Sequence, residues 1–402
     1  MKLTVDDLAI LGGRPAFAEK LYVGRPNIGD RTRLLVRLND ILDTRWLTNG
    51  GPYVESFEGR ITELTGVKHC IATCNATVAL EIAIRALGLV GEVLIPSFTF
   101  VATAHALQWQ QIRPVFCDID PKTHCMDPRS VEAMITPRTT GIIGVHLWGR
   151  ACYVNALTEI AARHKLTLLF DAAHAFGCSD RGRMIGSFGE AEVFSFHATK
   201  FVNSLEGGAV VTNNNALARK LRLMRNFGFT GYDKVNYVGT NGKMTEVCAA
   251  VGLTSLEALN EIVEVNRRNY EVYRENLDVL PGVSVIEYDP TEHNNYHYIV
   301  AEIDPASAPL NRDELLAILL NENVLARRYF WPGCHRMEPY RTLYPNSHLF
   351  LPQTERVAAQ VMSLPTGQTI TPEIIRAICD IIRAAFENAG EIRKILEEKT
   401  AV

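Results

Sequence analysis

Long apolar segments and closely spaced cysteines are both missing from the sequence, and each absence excludes a class of protein. Charged residues, glycine or proline interrupt the apolar runs before any reaches the roughly 20 residues of a membrane-spanning helix. The first residues lack the basic and then apolar pattern of a signal peptide. The nine cysteines are dispersed without a Cys-x-x-Cys pair, which argues against a disulfide framework or a metal site. We therefore expect a cytoplasmic protein with reduced thiols.

An excess of charge of one sign is missing as well. The chain has 41 basic and 45 acidic residues, a net charge of -4. Nucleic acids and anionic membranes bind to concentrated basic surfaces, so we expect neither as a partner. No G-x-G-x-x-G motif follows a predicted strand, which argues against a nicotinamide-dependent sugar reductase.

The sequence does contain a regular alternation of apolar strands and amphipathic helices between about residues 50 and 260. Near-continuous apolar runs are typical of strands that are buried on both faces of a mostly parallel sheet. We expect such strands at residues 92–96, 114–117, 141–145, 166–170 and 209–212. A helix is predicted at residues 77–87. The alternation predicts an α/β fold, with the sheet layered between helices.

The pattern changes after about residue 255. A long charged helix is predicted at residues 261–276, and the remainder mixes predicted strands with helices. A chain of 402 residues exceeds the size at which single cores stop growing. We therefore predict a large domain at residues 1–260, with an N-terminal arm, and a smaller α+β domain at residues 261–402.

The most informative residues are Asp171 and Lys200. Asp171 follows an apolar strand directly, at the end where α/β sheets place ligands. Lys200 follows the next aromatic stretch, and burying both charges is costly without an ionic group between them. Pyridoxal 5'-phosphate (PLP) supplies that group, because its ring nitrogen requires a carboxylate and its aldehyde requires a lysine amine. Either residue alone could be structural; the pair, flanked by small residues, favours PLP.

A third element lies upstream, where a predicted strand turns into a helix at residues 71–77. Small residues at such a turn leave backbone N–H groups free at a helix N-terminus, which attracts anions. The phosphate of PLP fits there, with the Thr77 hydroxyl as an additional donor. Alternatively, Thr77 only caps the helix.

Taken together, these motifs resemble the DegT/DnrJ/EryC1/StrS family of sugar aminotransferases from about residue 20 to about residue 385. Further matching segments are residues 46–52, 95–103, 145–149 and 239–246. The resemblance implies the PLP-dependent transferase fold type I: a large domain with a mostly parallel sheet of seven strands, and a smaller C-terminal domain. Residues 11–17, 23–26, 74–77 and 330–335 are more similar to the desosamine-pathway 4-aminotransferases than to the 3-aminotransferases.

The resemblance also implies roles for individual residues in binding the cofactor. Lys200 matches the lysine that holds PLP as a Schiff base, and Asp171 matches the partner of the ring nitrogen. The phosphate contacts correspond to Ala76 (through its backbone), Thr77 and Ser195. Phe100 matches the aromatic residue stacked on the ring.

Other residues are placed by the resemblance alone. His174 stands beside the ring, where many relatives have glutamine. Asn241 matches an asparagine that reaches the phosphate in the neighbouring subunit, which implies a homodimer with shared sites. Tyr329 and His335 fall in a segment that borders the sugar pocket in relatives, although surface aromatics explain them equally well. His146 is interpreted as a core histidine.

The resemblance implies transamination of a nucleotide-linked keto-deoxysugar. The expected reaction converts dTDP-4-keto-6-deoxy-D-glucose to dTDP-4-amino-4,6-dideoxy-D-glucose, with L-glutamate as donor and pyridoxamine 5'-phosphate as the aminated cofactor. Sugar 3-amination, amino-acid transamination, PLP-dependent sugar dehydration and a non-enzymatic regulator remain alternatives. Lys200 argues against the dehydratases, because a branch of the family that performs dehydration has histidine at this position. The nucleotide, the carbon and the pathway stay open.

Overall fold

The computed structural model describes residues 7–400. In chain order, its strands are β1 (Leu21–Tyr22), β2 (His69–Thr73), β3 (Glu92–Pro96), β4 (Arg113–Cys117), β5 (Thr139–Val145), β6 (Thr167–Asp171), β7 (Ser179–Asp180), β8 (Arg183–Met184), β9 (Ala191–Ser195), β10 (Gly208–Thr212), β11 (Phe229–Gly231), β12 (Lys234–Val235), β13 (Val283–Val285), β14 (Ile299–Ile303), β15 (Val324–Leu325) and β16 (Val361–Leu364).

Helices precede, connect and follow these strands. They are α1 (Arg31–Thr44), α2 (Pro52–Thr65), α3 (Ala76–Ala86), α4 (Ala102–Gln108), α5 (Pro128–Met134), α6 (Val154–His164), α7 (Asn215–Arg225), α8 (Glu246–Glu257), α9 (Leu259–Leu277), α10 (Arg312–Asn321), α11 (Tyr340–Leu343), α12 (Pro352–Gln360), α13 (Pro372–Glu387) and α14 (Ala389–Thr400). Among the described helices, none is long and apolar enough to cross a membrane.

The larger sheet has seven strands in the order β2-β10-β9-β6-β5-β3-β4. β10 is antiparallel to both of its neighbours, and the other adjacent pairs are parallel. All residues of β3 and β9 are buried, as expected where helices cover both faces of a sheet. Because the six strands other than β10 point the same way, their carboxyl ends meet at one edge. This edge is where the site forms.

The C-terminal part contains a smaller antiparallel sheet in the order β13-β14-β16. α9, α10 and α13 pack around this sheet and each other, with the apolar face of α13 buried. The segment immediately before β14 turns back toward the larger sheet, which brings side chains of the C-terminal part to the carboxyl edge described above.

The N-terminal segment, residues 8–27, crosses between these two parts of the molecule. The Glu322 carboxylate accepts hydrogen bonds from the backbone N–H groups of Ala9 and Ala16, both at 2.7 Å. β1 then pairs in parallel with β15. At the other end, Asn27 Nδ2 donates to the carbonyl of Phe201 at 3.1 Å. The segment therefore joins the C-terminal part to the loop of residues 196–203, called here the lysine loop.

The predicted fold class is confirmed, and so are the buried strands. β3 has the predicted bounds, β4, β5 and β10 begin one or two residues earlier than predicted, and β6 is shifted by one residue at both ends. The helix expected from residue 77 begins instead at Ala76, with Asn75 as its N-cap. The division into domains at residue 260 stays a prediction. The chain ends in α14, and residues 401–402 lie outside the described residues.

Candidate active site

Three strand ends supply the predicted cofactor residues. Asp171 is the last residue of β6, and Ser195 is the last residue of the adjacent strand β9. Lys200 lies in the lysine loop that follows β9. β2, two strands away from β9, leads into α3 and so into Ala76 and Thr77. The parallel arrangement thus gathers these residues at one edge, as ligand sites of open α/β sheets require.

The Lys200 side chain reaches inward to the C-terminal part. Its Nζ donates a hydrogen bond to Oη of Tyr298 at 3.0 Å and lies 5.6 Å from the centre of the Tyr298 ring. Burial lowers the pKa of this amine to about 8, although the nearby Asp171 carboxylate opposes the decrease. The amine is therefore neutral in an appreciable fraction of molecules near neutral pH, which is the form that condenses with a carbonyl group.

Asp171 is held rigidly and is only 5% exposed. Oδ2 accepts a hydrogen bond from Thr103 Oγ1 at 2.8 Å, and Oδ1 accepts one from the backbone N–H of Ala173 at 3.1 Å. Burial raises the pKa of the Asp171 carboxyl, while these two donors and the Lys200 charge lower it. A buried carboxylate of this kind is stabilised further by a cationic partner such as a protonated ring nitrogen.

A small pocket brings three of the predicted residues together, with Phe100, Asp171 and His174 in its wall. Phe100 is 57% exposed, so one face of its ring is free to stack on a ligand. Among the described residues, no group bonds to the buried Nδ1 of His174. Burial, followed by the charge of Lys200, holds the pKa of His174 well below its usual range. The neutral ring offers a hydrogen bond to a polar ligand atom.

The turn between β2 and α3 has the features of an anion site. Asn75 caps the helix by accepting from the N–H of Val78 at 2.9 Å, so Thr77 does not act as the cap. Gly208 on the neighbouring strand approaches this turn closely, since a Cβ atom there would lie 2.5 Å from the N atom of Ala76. The first turn of α3, with its backbone N–H groups, follows the carboxyl end of β2 and so lies at the carboxyl edge of the sheet.

These residues fit PLP. A buried carboxylate, a lysine of lowered pKa, an unpaired histidine nitrogen and a free aromatic face lie beside a helix N-terminus. The first four match the ring and aldehyde of the cofactor, and the helix N-terminus matches its phosphate. The individual roles of the predicted residues stay predictions.

Asn241 lies away from this pocket, on an exposed loop. Its Oδ1 accepts from Lys243 Nζ at 2.6 Å, which leaves its two amide hydrogens for another partner. The loop is anchored rather than loose: its Asn241 backbone forms a bridge with Asn226, and the Gly242 carbonyl accepts from the N–H of Cys74 at 2.8 Å. Within one chain Asn241 does not line the pocket with Asp171.

The two predicted sugar-pocket residues differ in their surroundings. Tyr329 is half-buried, and its ring centre lies 6.3 Å from that of Tyr298, next to the site. His335 is buried, with Nδ1 2.7 Å from Ser97 Oγ and Nε2 3.1 Å from Glu355 Oε1. Both nitrogens of His335 are thus occupied within the chain.

His146 has the surroundings of a core histidine. It is fully buried, its ring stacks on Phe170 with centres 4.8 Å apart, and its Nδ1 accepts from the N–H of Cys152. Its Nε2 lies 3.2 Å from Glu192 Oε2. It lines the same small pocket as Asp171, but its nitrogens face Cys152 and Glu192.

Sequence reasoning missed three residues that touch the site. Thr103 bonds Asp171, Tyr298 bonds Lys200, and the buried His297 lies next to both Tyr298 and the lysine loop. Thr103 belonged to a quoted motif, but its partner could not be read from spacing. Tyr298 and His297 lie about 100 positions from Lys200, so no local signal connects them.

Known proteins resemble the chain over most of its length. Residues 30–383 match the model of the DegT/DnrJ/EryC1/StrS aminotransferase family. The chain is 36% identical over 363 residues to a dTDP-4-amino-4,6-dideoxy-D-glucose transaminase from Shigella dysenteriae, a match that covers 90% of this chain and 98% of the relative.

Solved structures show the same relationship. The crystal structure of DesI in the presence of its TDP-sugar product superposes with a TM-score of 0.93 and 50% identity, and it covers 99% of this chain and 100% of that chain. Helicobacter pylori PseC, an aminotransferase involved in the biosynthesis of pseudoaminic acid, superposes with a TM-score of 0.85 and 25% identity over 92% of this chain and 100% of that one. With its sheet, its strand-end residues and these matches in agreement, the chain belongs to the DegT/DnrJ/EryC1/StrS aminotransferase family.

Proposed function

We propose that this enzyme transfers the amino group of L-glutamate to the keto carbon of a nucleotide-linked 4-keto-6-deoxy sugar, with PLP as cofactor. The observation that carries the proposal is the buried Asp171–Lys200 pair at neighbouring strand ends. The substrate class is supported by the dTDP-4-amino-4,6-dideoxy-D-glucose transaminase and by DesI with its TDP-sugar product. The proposed product is dTDP-4-amino-4,6-dideoxy-D-glucose.

Lys200 performs the proton transfers of this reaction. When bound, PLP withdraws electrons from the substrate carbon that loses or gains a proton. With the cofactor bound, the Lys200 amine would take the proton from the α-carbon of glutamate as a base and deliver it as an acid to the former aldehyde carbon of the cofactor. In the second half-reaction it would move a proton the other way, from that carbon to the former keto carbon of the sugar. A pKa of about 8 lets one group serve both roles near neutral pH, since neither form is rare.

Asp171 and four other residues bind and orient the cofactor. The carboxylate, oriented by Thr103 and Ala173, holds a proton on the ring nitrogen. The first turn of α3, with Ala76 and Thr77, holds the phosphate, and Ser195 at the end of β9 adds a hydroxyl. Phe100 covers one face of the ring. These contacts orient the group without taking part in proton transfer.

The functional unit is proposed to be a homodimer. Large apolar side chains are exposed on α1, where Leu35, Val36 and Leu42 are about half to two-thirds exposed, and on the β11–β12 hairpin, where Tyr232 is fully exposed. Clusters of exposed apolar side chains are typical of surfaces that another protein covers. A twofold dimer makes each contact reciprocal, so Asn241 of each subunit would reach the phosphate held by the other.

The cellular location is proposed from the cysteines. Each of the nine cysteines lies within the described residues and is a free thiol, and seven are buried. Thiols stay reduced in the cytoplasm, which supports a cytoplasmic enzyme.

The proposal is tested by incubating the enzyme with L-glutamate and a panel of dTDP-linked 3-keto and 4-keto sugars. The expected result is release of 2-oxoglutarate beyond one equivalent per site only with a 4-keto-6-deoxy sugar, and an amino group on carbon 4 of the product by NMR. A product aminated at carbon 3 would show that the substrate is a 3-keto sugar instead. Turnover of glutamate with an amino-acid acceptor but with no sugar would overturn the proposal.

A further inference from the structure

Tyr298 makes a contact with the reacting amine that the mechanism above does not use. Its hydroxyl accepts the Nζ–H of Lys200 at 3.0 Å, and the amine also lies over its ring. Tyr298 is 7% exposed and directly precedes β14, so it comes from the C-terminal part of the chain. A side chain from one part of the molecule thus holds the amine that belongs to the other.

The Tyr298 ring is fixed in place by aromatic neighbours. Its centre lies 4.3 Å from that of His174, 4.5 Å from that of His297 and 5.4 Å from that of Trp148, which meets it edge to face. Tyr288 Oη donates to the Tyr298 carbonyl at 3.0 Å. Because ring and backbone are both held, the hydroxyl has a defined position.

The groups that surround the Lys200 amine differ in charge, and Tyr298 is a neutral hydrogen-bond acceptor among them. Asp171 is the acidic group near the amine. Burial, with the charge of Lys200, lowers the pKa of His297 to about 3 and holds the pKa of His174 well below its usual range, so both rings are neutral. Burial raises the pKa of Tyr298 well above its usual value, so the phenol also stays neutral. A neutral phenol oxygen accepts a hydrogen bond from an ammonium group without forming an ion pair.

We propose that Tyr298 is a positioning residue that holds the free amine of Lys200 whenever that amine is not bonded to the cofactor. Transamination frees the lysine in each half-reaction, and a four-carbon side chain has many conformations to explore. The bond to Tyr298 Oη restricts the amine to one of them, within reach of the substrate carbon. The catalytic role of Tyr298 rests on the proposed function. The hydrogen bond between Tyr298 and Lys200 does not depend on it.

The contact is tested without turnover. In cofactor-free full-length protein, the pH dependence of Lys200 acylation, read by peptide mass spectrometry, gives the pKa of its amine. Tyr298→Phe keeps the ring and removes the oxygen that stabilises the ammonium form, so the midpoint is expected about 1 pH unit lower than in the wild type. Tyr270→Phe is the matched control, because the Tyr270 hydroxyl is also buried but donates to the Ile286 carbonyl. An unchanged midpoint in Tyr298→Phe overturns the proposal.

The role is tested in the half-reaction with L-glutamate. Tyr298→Phe is expected to slow the single-turnover rate roughly 10- to 100-fold, with the affinities for glutamate and PLP unchanged, while Tyr270→Phe keeps the wild-type rate. A loss confined to PLP affinity would mean that Tyr298 only packs the site, and would overturn the proposal.

A third variant, Tyr298→3-fluorotyrosine, keeps the shape of the residue and weakens the oxygen as an acceptor. Its midpoint and rate should lie between those of the wild type and Tyr298→Phe; values equal to the wild type contradict the proposal even if Tyr298→Phe does not fold. If the wild-type protein binds PLP but aminates no sugar, only the proposed function is refuted. The acylation midpoints still test the hydrogen bond between Tyr298 and Lys200, because they are measured without turnover.

Discussion

Lys200 is an unusual lysine because its amine is buried and its pKa lies near 8. Replacement by alanine removes both the covalent attachment and the proton carrier. We expect Lys200→Ala to abolish transamination while PLP still binds noncovalently, held by the first turn of α3 and by Asp171. Absorbance spectra after dialysis measure the binding, and release of 2-oxoglutarate measures turnover. Near-normal turnover by this variant would refute the assignment of Lys200.

Asp171 acts through charge rather than through shape. Asp171→Asn retains the size of the side chain and its bond to Thr103, so the fold should persist. We expect the rate to fall by at least ~100- to 1000-fold, the usual effect of losing one preorganised charge partner. Steady-state kinetics measures the fall in rate, and a circular dichroism spectrum checks that the fold persists. Activity within a few-fold of the wild type would rule out the role.

The lowered pKa of Lys200 has a consequence for stability. An unfolded lysine has a pKa near 10.5, whereas the folded one titrates near 8. Between these pH values the unfolded chain binds more protons, so the stability of the cofactor-free protein rises with pH in this window and is reduced below it. Urea unfolding should therefore show a steeper rise from pH 8 to 10.5 for the wild type than for Lys200→Met. The exposed Lys122, replaced by methionine, serves as the control and should leave the slope unchanged.

At the scale of elements, the buried strands were predictable and the contacts between distant elements were not. Strands such as β3 are apolar throughout because helices cover both faces, so their composition marks them. Asp171 and Lys200 could be recognised because each follows such a strand. Tyr298 could not, since its partner is fixed by how the C-terminal part folds back. For His335 the sequence left a place at the sugar pocket and a surface position equally open, because its bonds to Ser97 and Glu355 depend on the fold.

The close approach of β10 to α3 gives a prediction at this scale. An added Cβ at Gly208 would lie 2.5 Å from the N atom of Ala76, so Gly208→Ala must displace the first turn of α3. We expect the affinity for PLP to fall at least about tenfold, since that turn supplies the N–H groups for the phosphate. Gly59→Ala is the control: Gly59 is exposed on α2 with open space around it. Absorbance titration with PLP compares the two variants, and equal affinities would contradict the phosphate site.

At the scale of the whole molecule, the prediction concerns the shared sites of the proposed dimer. Lys200→Ala and Asn241→Ala should each be impaired on their own. If Asn241 acts across the interface, a mixed dimer carries both defects in one site and neither in the other, so part of the activity should return after subunit exchange. Turnover of the mixture, with exchange followed by native mass spectrometry, measures this. A fully active Asn241→Ala, or no recovery despite proven exchange, would refute the trans contact.

The N-terminal segment is translated first, but its binding partners are translated much later. Ala9 and its partner Glu322 are separated by 313 positions. A ribosome that adds about 5–20 residues per second needs roughly 15–60 s to bridge that separation. During this interval β1 has no β15 to pair with. The segment that carries Asn27 to the lysine loop is therefore not yet held at its N-terminal end. We therefore expect the lysine loop, and with it the cofactor site, to be completed only after β15 has been translated, when about four-fifths of the chain has been made.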